Sequence, residues 1–114
     1  MTEQERRALN EALFRDVNER IAGSAERVDE NRTAFVCECA DPNCTERVPA
    51  TLAEYESVRK QSTTFLLAPG HAEHEIERVV SDRGRFHVVE KVQAVVRRAV
   101  IRLDRRQRPA PSET

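Results

Sequence analysis

The sequence predicts one small α+β domain, an antiparallel sheet carrying a helix at each end of the chain and a short helix between. Three observations predict it. Apolar residues recur with helical spacing at both ends. Short β-branched and aromatic runs, punctuated by Pro, Gly, Asn and Asp, fill the middle. All three cysteines fall within eight positions, in "FVCECADPNC". A chain of 114 residues is one domain. With 4% aromatic residues and 34% charged ones its core must be aliphatic and thin. Domains of that kind are often reinforced by a metal or a second chain.

"TEQE" opens with a capping-box pattern, Thr2 followed by Glu5. Leu9, Leu13, Val17 and Ile21 then recur every four residues, which predicts an amphipathic helix over 1–23 that Gly23 ends. Residues 24–32 are polar and read as a linker to an α+β domain over 33–106. "TAFVCEC" reads as a strand running into the thiols, "ADPN" as a turn, and "TERV" as a returning strand that Pro49 stops. Thr51 and Glu54 make a second capping box ahead of "LAEYESVRK", a short helix with Leu52, Tyr55 and Val58 on one side. "TTFLLAPGH" is a strand closed by a Pro-Gly turn, and "EIERVV" with "RFHVVEK" predicts a hairpin around "SDRG". Val92, Val95, Val96, Ala99, Val100 and Leu103 have helical spacing, although so many valines are also compatible with a strand. The last residues, 107–114, read as a disordered tail.

The thiols carry the chemistry. On a strand, Cys37 and Cys39 project from one face, and the turn returns Cys44 toward them. Three thiolates repel one another unless a divalent cation holds them. Zinc is the default ion for a sulfur-rich tetrahedral site. The fourth ligand must be His71, His74 or His87. His71 is preferred because the Pro69-Gly70 turn can aim it back across the sheet. The expectation is a closed Cys37, Cys39, Cys44, His71 shell in a zinc-ribbon- or knuckle-like sheet, a structural site. The alternatives are inert thiols and a zinc-thiolate redox sensor.

The same stretch resembles a set of small uncharacterised bacterial proteins that share an F-x-C-E-C core, a nearby cysteine, an "EY" helix and "PGH". Here those elements are "FVCEC", Cys44, "LAEYESVR" and "APGH", within residues 35–91. The resemblance implies a shared metal site at Cys37, Cys39, Cys44 and His71, and carries no activity with it.

Enzyme chemistry finds little support. "HAE" at His71–Glu73 matches half of the zinc deaminase signature, but the P-C-x-x-C half is missing and the cysteines lie upstream. With three glycines there is no phosphate-binding loop. Two binding classes remain. The Leu9, Leu13, Val17, Ile21 stripe predicts contact with the protein's own sheet, a partner protein or a second copy. The C-terminal 91–114 carries seven bases against two acids. Arg97, Arg98, Arg102, Arg105 and Arg106 there make nucleic-acid binding the alternative. A net charge of −1 and scarce aromatics weigh against it. No stretch is apolar enough for a signal peptide or membrane span, and clustered cysteines suit the reducing cytoplasm.

Overall fold

In the computed structural model, which describes residues 1–24 and 32–107, the chain has the expected α+β fold. Its elements are α1 (Glu3–Ser24), β1 (Thr33–Val36), β2 (Arg47–Ala50), α2 (Leu52–Val58), β3 (Thr64–Leu67), β4 (Glu77–Asp82), β5 (His87–Lys91) and α3 (Ala94–Arg102), followed by a 3-10 turn at Arg105–Gln107. The strands divide between two antiparallel sheets instead of forming one. β1 pairs with β2, and the larger sheet has the order β3-β5-β4. The expected linker at 24–32 and tail at 107–114 fall almost wholly outside the described residues.

Local signals act largely as their chemistry dictates. Thr2 and Glu5 exchange backbone and side-chain hydrogen bonds at 3.0 and 3.1 Å, and Thr51 and Glu54 do the same at 2.8 and 3.1 Å. Tyr55 and Val58 bury the inner side of α2, and Tyr55 stacks on Phe35 of β1 at 4.5 Å between ring centres. The hairpin β4–β5 turns at Gly84, whose φ of +76° only glycine adopts at no steric cost. The valine-rich end is a helix. Gln93 caps it by accepting from the Val96 N–H, and Val96, Ala99 and Val100 face the core. Pro49 does not stop β2 but sits within it, opposite Ala34. A two-stranded sheet leaves an outer edge on which a missing donor costs nothing.

The N-terminal helix departs most from expectation. Leu13 and Val17 are 53% and 43% exposed, while Leu9 and Ile21 are partly buried. The inward face is Ala8, Glu11, Ala12, Arg15, Asn18 and Ala22, which also follow helical spacing. Small residues let α1 approach α3 and β1, and three long polar side chains reach through. The Arg15 guanidinium lies 4.7 Å over the Phe65 ring and donates to the Ser62 and Val100 carbonyls, both at 2.8 Å. Asn18 pairs with Val36 through both its oxygen and its amide nitrogen, at 2.8 Å each, as a neighbouring strand would. Glu11 meets Lys91, which also contacts Glu77, and all three are fully buried. Beyond the helix, buried Arg59 joins Glu19 of α1 to Asp104, at 2.7 Å each. Polar α1 therefore docks through hydrogen bonds and ion pairs more than through the apolar stripe, of which Ile21 packs against the core. It leaves Glu11 Oε1 and Arg15 Nε buried without a hydrogen-bond partner among the described residues.

One ammonium cannot neutralise two buried carboxylates. Burial pushes Glu11 up to about 8 against the pull of Lys91. The folded chain thus binds this proton more tightly than the unfolded one. Glu11's contribution to stability is complete below about pH 4.5 and is lost as pH rises through about 8. Glu11→Gln is neutral throughout and should lack that loss. The urea midpoint of the wild type is expected to fall relative to that of the variant across this window and then level off. Parallel pH profiles would refute the assignment.

Candidate metal centre

The chain leaves β1 at Val36 and changes partners within two residues. The Cys37 N–H donates to the Glu46 carbonyl at 3.1 Å, still alongside the approach to β2, and the Glu38 N–H donates to Leu66 of β3 at 2.8 Å. The cysteines therefore lie in the connection that follows the strand, at the junction of the two sheets. Cys44 is returned by a turn in which Asp41 accepts the Asn43 N–H on its carboxylate at 2.9 Å and the Cys44 N–H on its carbonyl at 3.1 Å. From the far side, Pro69 and Gly70 make the expected turn, with Gly70 at φ +83° and the His71 N–H on the Ala68 carbonyl at 3.2 Å.

These turns bring the four expected residues together. The sulfurs of Cys37, Cys39 and Cys44 and a ring nitrogen of His71 all lie within 4.8 Å of one another, close enough to hold a metal ion. His71 Nδ1 stands 3.6 Å from both Cys37 Sγ and Cys44 Sγ. Bond lengths of about 2.3 Å to sulfur and about 2.05 Å to nitrogen, at the tetrahedral angle, require an S···N edge of about 3.6 Å. A lone ring nitrogen equidistant from two sulfurs also has one in-plane position to offer, which a shared cation uses fully and two separate hydrogen bonds do not. The donor set fits.

Electrostatics point the same way. Without a cation, ionising one thiol opposes the ionisation of the others. The hydrogen bond from Cys37 holds Cys39 down to about 5, and the same bond, with burial, raises Cys37. Burial likewise raises Cys44. A divalent cation removes this competition and takes all three as thiolates. Ala68 already donates its N–H to Cys37 Sγ at 3.2 Å, a bond that favours the charged form.

The residue between the first two cysteines was not legible as part of the site. Glu38 is fully buried and accepts from the Leu66 N–H at 2.9 Å, the Asn18 amide at 2.8 Å and the Tyr55 hydroxyl at 3.1 Å. Burial raises its pKa, opposed by these three donors. An acid flanked by two core-directed cysteines was the available signal. His74 is exposed, and His87 faces Asp82 at 3.4 Å, away from the cluster. The arginines proposed for nucleic acid are largely engaged at home. Arg97 lies near Glu90 at 3.8 Å, Arg105 pairs with Asp16 at 3.4 Å, and Arg106 reaches Glu19 and Glu56 at 3.2 and 2.7 Å. Arg98 and Arg102 are exposed on α3.

Compared with known proteins, the chain matches no family model, no curated sequence and no solved structure. Among the described residues no helix is long and apolar enough to cross a membrane.

His71→Ala should weaken zinc binding at least about tenfold, a loss of about 1.4 kcal/mol. His74→Ala and His87→Ala should change it less than about twofold, since a factor of two is about 0.4 kcal/mol. Competition with a chromogenic chelator measures all three. Equal losses from His71→Ala and His74→Ala would remove His71 from the site.

Proposed function

We propose that the chain is a non-catalytic, zinc-stabilised interaction module working in a reducing compartment such as the cytoplasm. The observation that carries this reading is the four-donor cluster of Cys37, Cys39, Cys44 and His71 within 4.8 Å. Three thiolates and an imidazole fill a tetrahedral shell and leave no position for water or substrate, the mark of a structural site. Zinc is the ion that suits such a set, because it accepts sulfur-rich tetrahedra and has no redox chemistry of its own. The deaminase-like "HAE" fits this closed shell poorly, since a catalytic zinc needs an open position.

The interaction part of the reading rests on α1. Its inner face is committed to Glu11, Arg15 and Asn18, so Leu13 and Val17 stand outward and are available to a partner protein or a second copy.

Purified protein is expected to hold one zinc ion per chain. Chelation, or Cys44→Ser, should lower the melting temperature by more than about 10 °C, since about 2 kcal/mol already moves a domain of this size by that much. An unchanged melt with and without chelator would sink the metal reading. Leu13→Glu combined with Val17→Glu should leave metal content and melting intact while abolishing association, followed by light scattering and co-purification. Association that survives both changes refutes this surface.

A further inference from the structure

The three sulfurs are close but not equivalent. Cys37 is buried, its sulfur accepts the Ala68 N–H at 3.2 Å, and the backbone bonds of Cys37 and Glu38 to Glu46 and Leu66 fix the chain around it. Cys44 is half-exposed. Cys39 is buried like Cys37 but borders a cleft of about 210 Å³ lined also by Asp41, Gly70, His71 and Glu73. Cys39 and Cys44 are moreover the two ends of one turn, with Asp41 bonding to Asn43 and Cys44 inside it. Joining them closes a short loop that is already folded back, so little further chain entropy is lost.

We propose that Cys39 and Cys44 are a redox-active pair that hydroperoxides oxidise to a disulfide, releasing the metal ion. The proposal rests on the zinc reading above and adds a chemical input to it. The Cys44 sulfur, the most accessible, attacks one peroxide oxygen. The O–O bond breaks, an S–O bond forms, and hydroxide or alkoxide leaves. The Cys39 sulfur then attacks the Cys44 sulfur, the S–S bond forms, and the S–O bond breaks with loss of hydroxide. Two thiolates have lost two electrons. The peroxide has gained them and, with two protons from solvent, ends as water and water or alcohol. The ion keeps only Cys37 and His71, half of its shell, and dissociates. Cys37 remains a thiol, held at the seam of the two sheets, so the half-site persists for reassembly after reduction.

The test uses the full chain loaded with zinc, its metal content measured first, and hydrogen peroxide as the probe. Released zinc is followed with a chromogenic chelator while free thiols are alkylated. The disulfide is then reduced and its thiols are given a second label. Cleavage after Arg32 and Arg47 places all three cysteines on one peptide, whose fragments assign each label. Zinc release is expected in step with the loss of two thiols per chain, with the first label on Cys37 and the second on Cys39 and Cys44. A brief pulse in the presence of a sulfenic-acid trap should mark Cys44. Reductant with added zinc should restore the site. A disulfide that includes Cys37, overoxidation without a disulfide, or zinc retained while thiols are lost would overturn the pair. A chain that takes up no zinc before peroxide is added overturns the metal reading itself, so the two failures are distinct.

Discussion

Glu38 is the constraint on which the rest of the structure turns. A carboxylate removed from water is tolerated only when its oxygens are satisfied. Here the donors come from three different places: Asn18 of α1, Tyr55 of α2 and the backbone of Leu66 in β3. None of the three can withdraw without leaving a buried acid short of a partner. Because Cys37 and Cys39 flank it, the position of this carboxylate also fixes where two sulfurs of the cluster stand. The core and the cysteine cluster are therefore one construction. Loosening either one strains the other.

The same logic explains the unusual docking of α1. A helix held by Glu11, Arg15 and Asn18 gains less free energy than one held by leucines, because desolvation consumes much of what the ion pairs return. It gains specificity instead. Arg15 finds its two carbonyls, and Asn18 its rung beside Val36, in a single register and angle. Sheets of two and three strands hold little on their own and depend on what packs against them. A metal site supplies on the order of 10 kcal/mol of apparent folding free energy in small domains. The proposed zinc ion would deliver it where the two sheets meet, the joint that neither can brace alone.

The sequence was legible wherever one residue type has one dominant use. Both capping boxes, the Pro-Gly and Asp-Arg-Gly turns, the hairpin and the clustering of Cys37, Cys39, Cys44 with His71 belong to that class. It was illegible where a residue's ordinary use is overridden. Nothing marked Glu11, Arg15 and Glu38 for the interior, because charged side chains are rarely buried and only their tertiary partners bring them there. The stripe of Leu13 and Val17, expected against the protein's own sheet, a partner protein or a second copy, faces outward for the converse reason. The two sheets were hidden as well, because alternation gives strands their faces but not their partners. Here the seam between the sheets is held by Glu38 bonding to Leu66 across 28 residues of chain.

The exposed stripe on α1 follows from this arrangement. A helix has one face to commit, and the buried charges have taken it. Leu13 and Val17 cannot then be turned inward without carrying Arg15 and Asn18 into solvent and leaving Glu38, the edge of β1 and the Ser62 and Val100 carbonyls short of a partner. An acid missing a donor, an unpaired strand edge and two carbonyls without donors together cost more than two partly exposed apolar side chains lose by standing in water. The outward apolar face is thus the cheaper arrangement for the isolated chain. It is also the one face of α1 that a partner can cover without undoing the interior.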